Sequence, residues 1–373
     1  MRRNALTALL SALLLVLAGA AAAKDTGLIF VSSEKDNVVT VLDGKTYEVV
    51  KTIGTAARPR HLQFSPDRSQ IYVACGDGDA IDIIDVATLE LVDRIADIDD
   101  PEAFDLSHDG GLMYISLEDD AKLGILDLEQ HRKERDGVPT LDVAAPSEDD
   151  DDGDEDEDED EEEEEEEASE DDEEEELVAG MRVIEVGEEP EGILAHPNGN
   201  VVYVTSEVAN MVHVVDVKTN AITHNVVVGN RPRRMVLTAD RKQLWVSTEL
   251  GGSVTVLDTD GYAKVAEIDF LPRGMRREDV TPVGITMTTD GKTAIVALGR
   301  ANHVAFVNVA SREVEDYVLV GKRAWNATLT RDNARLYVAN GLSDDVTVID
   351  MADRKALTSI RVGRVPHTVL IDD

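Results

Sequence analysis

The sequence predicts an all-β protein, a seven-bladed β-propeller in which each blade contains four strands. Three observations predict this fold: one motif recurs seven times, most copies lie 42 residues apart, and each copy is rich in Val, Ile and Tyr with Asp, Asn and Gly between the runs. The β-branched runs exclude helical solenoids of similar repeat length. The copies are IFVSSEKDNVVTVLD from Ile29, YVACGDGDAIDIID from Tyr72, YISLEDDAKLGILD from Tyr114, YVTSEVANMVHVVD from Tyr203, WVSTELGGSVTVLD from Trp245, IVALGRANHVAFVN from Ile295 and YVANGLSDDVTVID from Tyr337.

The spacing of the copies locates two insertions. Successive aligned positions lie 42, 42, 89, 42, 50 and 42 residues apart, so two intervals exceed the period, by 47 and 8 residues. In four copies a proline stands 16 residues after the final Asp, as Pro59 follows Asp43. In the longest interval the proline after Asp127 is Pro190, displaced by the length of the insertion. Both insertions therefore follow the third strand of a blade. The aligned positions are Phe30, Tyr72, Tyr114, Tyr203, Trp245, Ile295 and Tyr337.

The two ends of the repeat region predict how the ring closes. The first copy begins at the strand that is second in the other blades, and the chain ends with RVPHTVLIDD, which matches the strand preceding it elsewhere. Residues 366–371 are therefore expected to pair beside residues 28–32, so that both termini share one blade. Closure of this kind removes the exposed sheet edges.

The first 23 residues predict export. Two arginines precede an apolar run and a stretch of small residues, a pattern typical of a secretory signal peptide cleaved before Lys24. The alternative is an uncleaved membrane anchor, although the apolar run is short for a bilayer span. We expect a periplasmic protein with a propeller formed by residues 24–373. Its single cysteine, Cys75, excludes internal disulfides and is expected to be a small buried residue.

Residues 138–180 are predicted to form a disordered acidic insertion within blade three. Residues 148–176 contain 26 acidic side chains, which repel one another and bury nothing. Blade topology places this segment at the outer rim, on the face away from the loops that link one blade to the next. Its role is left open between a solvated segment, an attractant for a basic partner, and weak association with Ca²⁺ or lanthanide ions. The net charge of −41 excludes nucleic acid as a partner.

The motifs YVANGLSDDVTVID and PDRSQIYVAC resemble the YVTN family of β-propeller repeat proteins. Within that family the exported acidic chain resembles the PQQ-dependent catabolism-associated β-propeller proteins. This resemblance implies a place near periplasmic alcohol oxidation in Gram-negative bacteria. It also implies a protein partner such as a dehydrogenase or its cytochrome.

The repeat register predicts a charged mouth at one end of the axial channel. One residue per blade follows the proline position, and most of these residues are polar. Arginine forks pair bidentately with carboxylate or phosphate, so a small anionic ligand is expected there. The alternative is that these charges pair with one another. The segment LPRGMRREDV is expected to cover the same face. The predicted ligand-binding residues are Arg60, His61, Glu102, Glu191, Arg233, Arg234, Arg276, Trp325 and His367.

The sequence is compatible with two functions. Because the sequence contains no nucleotide, GxSxG or metal-ligand motif, we expect a non-catalytic, monomeric binding or scaffold protein without a cofactor or a membrane span. The alternative is a lactonase-like hydrolase acting at the mouth, because some seven-bladed relatives of YVTN proteins are lactonases. A quinone-dependent dehydrogenase is disfavoured. Those enzymes resemble eight-bladed propellers with a tryptophan in most blades, whereas this chain has only Trp245 and Trp325.

Overall fold

The computed structural model describes residues 25–135 and 177–373. These residues form seven four-stranded antiparallel sheets, which confirms the predicted seven-bladed propeller. The predicted signal peptide and residues 138–176 of the predicted acidic insertion lie outside the described residues. Within the described ranges, no helix is long and apolar enough to cross a membrane.

The strands follow the predicted register blade by blade. The strands of blades one to three, in chain order, are β1 (Leu28–Ser33), β2 (Val38–Asp43) and β3 (Val49–Gly54) in blade one, β4 (Pro59–Phe64), β5 (Gln70–Cys75), β6 (Ala80–Asp85) and β7 (Glu90–Ala96) in blade two, and β8 (Pro101–Leu106), β9 (Leu112–Leu117), β10 (Lys122–Asp127) and β11 (Met181–Glu185) in blade three. Blades four and five contain β12 (Pro190–Ala195), β13 (Val201–Ser206), β14 (Met211–Asp216), β15 (Ala221–Val227), β16 (Pro232–Leu237), β17 (Gln243–Thr248), β18 (Ser253–Asp258) and β19 (Lys264–Asp269). Blades six and seven contain β20 (Ile285–Met287), β21 (Thr293–Ala297), β22 (His303–Asn308), β23 (Val314–Leu319), β24 (Ala324–Leu329), β25 (Arg335–Asn340), β26 (Asp345–Asp350) and β27 (Lys355–Arg361), and β28 (Pro366–Asp372) returns to blade one. The helices are α1 (Leu128–Arg135) and two 3₁₀ turns, Glu34–Asp36 and Arg277–Asp279.

The ring closes as predicted. Strand β28 pairs antiparallel with β1, with Leu28 opposite Asp372 and Phe30 opposite Leu370. Asp372 also fixes the junction, because its carboxylate accepts hydrogen bonds from the Thr26 amide at 2.7 Å and from the Arg68 guanidinium of blade two at 2.7 Å. The first and last strands are thus held to each other and to the next blade.

The apolar core lies between neighbouring blades rather than in one central mass. Alternate residues of the middle strands point to the two faces of each sheet. The apolar side chains on one face of a blade pack against those on the facing side of the next blade. Trp245, Tyr114 and Tyr203, the aromatic residues that open their motifs, are almost completely buried in these contacts. The aromatic and β-branched residues therefore recur in the sequence because the same packing between blades recurs around the ring.

Each blade has two ends, which we call the mouth face and the far face. The mouth face carries the turns between second and third strands and the loops that link successive blades. The far face carries the remaining turns. There the Asp that ends a motif closes the turn: the Asp85 carboxylate accepts the amide hydrogens of Ala87 at 3.1 Å and Thr88 at 2.8 Å.

A different side-chain bond recurs on the mouth face. The amide of Arg58, in left-handed conformation with φ 53°, donates to the side-chain oxygen of Asn37 at 3.0 Å. The same bond joins residues 21 positions apart in four further blades. We call these five bonds the mouth staples. The other four are Asp100 to Asp79, Arg231 to Asn210, Arg323 to Asn302 and Val365 to Asp344.

The long insertion lies between the third and fourth strands of blade three, on the far face. Leu126 of β10 pairs with Met181 of β11 at that end, whereas Pro101 pairs with Leu117 at the mouth end. Helix α1, which the sequence did not predict, follows β10 directly, and Asp127 caps it by accepting the Gln130 amide at 2.8 Å. Residues 177–180 lead back into β11.

Candidate ligand-binding site at the channel mouth

The first residues of the innermost strands converge at the mouth. Each innermost strand starts on this face, so the residue after the proline position stands at the rim of the axis in every blade. Arg60, Glu102, Glu191, Arg233 and His367 occupy these positions and are at most 5% exposed. Trp325 occupies the same position in blade seven. The register therefore brings these six predicted residues to one end of the channel.

A second set of acidic residues, not predicted from the sequence, joins them. Glu34, Glu118, Glu207 and Glu249 each follow the second strand of a blade, four residues after the aligned aromatic position. Glu207 and Glu249 are 2% and 5% exposed. The repeat alignment contains this signal, since four of seven copies have glutamate at one position.

Blades one to three contribute one half of the ionic cluster. The guanidinium of Arg60 donates a hydrogen bond to the Glu102 carboxylate, and its Nε lies 3.6 Å from Glu34. Arg58 reaches the same Glu102 at 2.8 Å and Asp100 at 3.3 Å. Glu102 thus receives two arginines while being fully buried.

Blades four to seven contribute the other half, centred on Arg233. Its guanidinium bonds to Glu207 and lies 3.6 Å from Glu191 and 3.5 Å from Glu249. Arg234 adds a contact of 2.9 Å to Glu191. The charges of the mouth are therefore largely paired with one another, the arrangement that the sequence left as its alternative.

Trp325 and His367 form the aromatic side of the cluster. The guanidinium carbon of Arg323 lies 4.5 Å from the Trp325 ring centre, and that of Arg233 lies 5.4 Å from it, within cation–π range. The ring of His367 lies 5.6 Å from Trp325. The ring Nε2 of His367 is buried and has no hydrogen-bond partner within residues 25–135 and 177–373.

Burial and neighbouring charges move the pKa values of the carboxyl groups in opposite directions. Burial favours the neutral form of Glu191, but Arg233, Arg234 and Arg60 outweigh it and hold its pKa well below the ordinary value. Burial, reinforced by the charges of Glu102 and Glu191, raises the pKa of Glu118 to about 9. Glu191 is therefore ionised at neutral pH and Glu118 is protonated.

Three carboxyl groups in blades two and three stand close enough to share a cation. Oxygens of Asp100, Glu102 and Glu118 lie within 4.8 Å of one another. Arg58 and Arg60 already contact Glu102, however, and they supply positive charge where a metal ion would have to sit. These three carboxyl groups are therefore better explained as a cluster whose charge the two arginines neutralise than as the ligands of a metal ion.

The axial channel below the mouth contains a cavity of about 320 Å³. All seven innermost strands line it, and its polar groups come mainly from the mouth end and the middle of these strands. Arg234 donates from Nη1 to the Glu191 carbonyl at 3.1 Å, but its Nε has no hydrogen-bond partner among the described residues. The polar lining residues are His61, Gln63, Asp105, Arg234, Asn326, Thr328 and Thr368.

Histidine 61 stands on the channel wall in neutral form. Burial, with the positive charge of Arg234, lowers the pKa of His61 to about 3. Its ring packs edge-on against Phe104 with 4.9 Å between ring centres. His61 can therefore donate or accept a hydrogen bond but carries no charge at neutral pH.

Arg276 is placed apart from the other predicted residues. Its side chain is 70% exposed, and its guanidinium bonds to Asp279 at 2.8 Å and to Glu278 at 2.8 Å. The loop that carries it folds onto itself through the 3₁₀ turn Arg277–Asp279. Local pairs of opposite charge thus hold this arginine at the edge of the mouth face.

Comparisons with known proteins agree with the propeller fold. The family of seven-bladed β-propeller lactonases matches residues 219–369, and the family of YNCE-like β-propellers matches residues 4–115. None of the curated proteins matches the chain.

Solved structures resemble the chain over most of its length. Hydrazine synthase of Kuenenia stuttgartiensis has 18% identity and a TM-score of 0.69, covering 88% of this chain and 93% of its own. A protein of unknown function from Desulfotomaculum acetoxidans has 13% identity and a TM-score of 0.68, covering 93% and 99%. A putative 6-phosphogluconolactonase from Bacteroides fragilis has 16% identity and a TM-score of 0.68, covering 93% and 98%. The chain is thus a seven-bladed β-propeller, similar in its C-terminal part to the lactonase propellers.

Proposed function

We propose that this protein is an exported binding propeller that holds a small carboxylate in its axial channel, as an accessory to periplasmic PQQ-dependent alcohol oxidation. The observation that supports it is the unused donor of Arg234 beside a cavity of about 320 Å³. Cavities of a few hundred cubic ångströms with a few convergent polar groups are typical of small-molecule sites.

The chemistry of the channel favours an anion with an apolar body. Arg234 and the amide of Asn326 stand at the mouth end, while Phe104 and Ile193 contribute apolar surface to the same cavity. A carboxylate bonded to the guanidinium would replace a missing hydrogen bond with a charge-assisted one. Oxidation of alcohols yields aldehydes and carboxylic acids, so such a ligand suits the setting that the family resemblance implies.

Binding is favoured over catalysis by the state of the channel groups. A general base works best when its pKa lies near the operating pH. The pKa of His61 is lowered to about 3 by burial, and that of Glu191 is held well below its ordinary value, so both are weak bases. Burial raises the pKa of Asp105, the carboxyl group of the cavity lining, but its two oxygens already accept hydrogen bonds from the Gln63 side chain and the Ala195 amide. The lining is thus better suited to hold a ligand than to transfer a proton.

The proposal is tested by calorimetric titration with a panel of two- to six-carbon carboxylates and the corresponding alcohols. We expect carboxylates to bind and alcohols not to bind. Arg234→Gln should weaken binding by at least about tenfold, because it removes a charge-assisted bond. Arg276→Gln, which removes an arginine from the same face but not from the channel, serves as the matched control.

A second channel variant keeps the proposal testable if Arg234→Gln fails to fold. His61→Gln keeps a hydrogen-bonding group of similar size and should alter the preference among carboxylates while leaving the urea midpoint close to that of the parent. Absence of carboxylate binding at millimolar concentrations, or equal affinities for Arg234→Gln and Arg276→Gln, would refute the proposal.

The lactonase alternative has one specific structural argument in its favour. Burial, with Arg233 opposing and Glu191 reinforcing it, raises the pKa of Glu207 to about 7, near the optimum for a general base. The lactonase family also matches residues 219–369. Hydrolysis of a lactone panel that is lost in Glu207→Gln and kept in the exposed variant Glu278→Gln would favour the hydrolase over the binding protein.

A further inference from the structure

The mouth face is electrically divided into two halves, and this division is independent of the channel. Each blade presents two segments on this face, the turn between its second and third strands and the loop to the next blade. Blades two and three together present ten acidic residues there and no basic one. The ten are Asp77, Asp79, Asp97, Asp99, Asp100, Glu118, Asp119, Asp120, Glu188 and Glu189.

The opposite side of the ring has the reverse character. The corresponding segments of blades five to seven present seven basic residues against four acidic ones. The basic residues are Arg273, Arg276, Arg277, Arg300, Lys322, Arg323 and Arg364. Three leucines stand among them with more than half of their surface exposed, Leu250 at 59%, Leu271 at 58% and Leu342 at 62%.

Blades one and four separate the two halves and are balanced. Blade one presents Glu34, Lys35, Asp36 and Arg58 in these segments, and blade four presents Glu207 and Arg231. The acidic residues of blades two and three therefore form one continuous arc. Asp100 and Glu118 add less charge at neutral pH than the others, because burial raises their pKa values. Of the other eight carboxylates, Asp77 pairs with Arg58 at 3.2 Å and Asp120 pairs with Lys122 at 3.3 Å.

We infer that the mouth face is a docking surface for a protein that presents a basic patch to blades two and three and an apolar or acidic edge to blades five to seven. Opposite charges on two sides of one face orient a partner as well as attract it, because a rotated partner would meet like charges. Exposed leucines beside arginines supply the apolar contacts that interface centres use.

Charge complementarity decides the occupant. A second copy turned about a two-fold axis would set its basic half against this arc, but the two chains each carry a net charge of −41 and repel one another at long range. A basic protein gains from that excess at long range and from the acidic arc at contact. The strand ends that flank the acidic insertion lie on the far face of blade three, whereas the arc lies on the mouth face.

The test uses cytochrome c, a small protein with a surface patch of lysines, as the probe. In the full-length protein, the variant D97N/D119N/E188Q removes three exposed charges from the arc. The matched control E48Q/D260N/D353N removes three exposed charges from far-face turns. Both variants keep the acidic insertion, so any contribution from that segment is the same in each.

We expect the arc variant to bind the probe about tenfold more weakly than the control at low ionic strength, with a smaller dependence on salt. Carbodiimide cross-linking followed by mass spectrometry should join probe lysines to carboxylates of blades two and three. Three results would overturn the inference: equal affinities of the two variants, cross-links confined to the acidic insertion, or a dimer of the unmodified protein in sedimentation that the arc variant abolishes. The outcome is separate from that of the carboxylate titration, since these variants leave the channel unchanged.

Discussion

Arg60 and Glu102 form an ion pair across the boundary between blades two and three, and their side chains are only 6% and 0% exposed. Each residue is the first after a proline in its innermost strand. The pair therefore ties two blades together at the mouth, in a place where water cannot replace either partner. A buried charge that loses its partner costs far more than an exposed one.

Removal of one member of this pair should destabilise the protein strongly. Glu102→Gln removes the carboxylate that is hydrogen-bonded to the buried Arg60 and leaves this guanidinium with the more distant charges of Glu191 and Glu34, so we expect a loss of about 3–5 kcal/mol in the free energy of unfolding. The exposed pair of Lys51 and Glu90 provides the control, since Glu90→Gln should cost about 0–1 kcal/mol. Urea denaturation measures both. A loss in Glu102→Gln no larger than that in Glu90→Gln would show that the pair is not effectively buried.

The stability of the protein should fall as the pH rises, because of Glu118. Burial raises the pKa of this carboxyl to about 9 in the folded chain, so the folded state holds a proton that the unfolded state releases near pH 4.5. Its contribution is complete below that pH and is lost as the pH rises towards 9.

The variant Glu118→Gln removes that titration, and its urea midpoint should fall less than that of the parent between pH 5 and pH 9. The neighbouring exposed residue supplies the control, since Asp119→Asn should follow the parent profile. Parallel profiles for Glu118→Gln and the parent would contradict the protonated state of Glu118.

The mouth staples predict a stabilising substitution in blade three. Asn or Asp occupies the staple position in five blades, whereas blade three has Ala121 there, with φ 52°. Asn is the residue that best tolerates this left-handed conformation after glycine. Ala121→Asn should raise the free energy of unfolding by about 1 kcal/mol, by relief of strain and by a bond to the loop before Pro190. Asn37→Ala, which removes an existing staple, should lower it by a similar amount. A lower melting temperature for Ala121→Asn would refute this explanation of the staples.

The sequence predicted the parts of the molecule that repeat. The repeat period, the strand order and the ring closure could be predicted because buried residues such as Tyr72 and Val73 recur in each motif. They recur because every blade packs against its neighbours in the same way. The positions of Arg60 and Glu102 at the mouth followed from the same register. Their mutual pairing did not, because it depends on the distance between side chains of different blades.

Features that break the repeat were the least predictable. Helix α1 forms where the local sequence caps it after Asp127, and Arg276 turns towards Asp279 because its loop is longer than the others. The glutamates after the second strands are visible in the repeat alignment. The sequence alone does not distinguish Glu207 from an ordinary turn residue, because its raised pKa depends on burial in the folded protein.

At Gly192 the backbones of the innermost strands of blades four and five lie close together. A Cβ atom placed there would lie 2.0 Å from the carbonyl oxygen of Arg233 and 2.7 Å from the hydroxyl of Thr205. That hydroxyl receives the Gly192 amide at 2.7 Å and donates to the same Arg233 carbonyl at 2.8 Å, so it bridges the two strands. Because the obstacle is backbone, Gly192→Ala must push the two blades apart at the mouth.

We expect Gly192→Ala to lower the free energy of unfolding by about 1–3 kcal/mol, the range typical of an overpacked core. Gly111→Ala is the control, because its nearest neighbour would be the exposed Asp109 side chain at 3.5 Å, an ordinary contact. Urea unfolding followed by tryptophan fluorescence reports the change directly, since Trp325 lies beside Arg233. Equal urea midpoints for the two variants would mean that blades four and five can separate at Gly192 without a loss of stability. The ion pair of Arg233 and Glu191 would then not depend on the close backbone contact at Gly192.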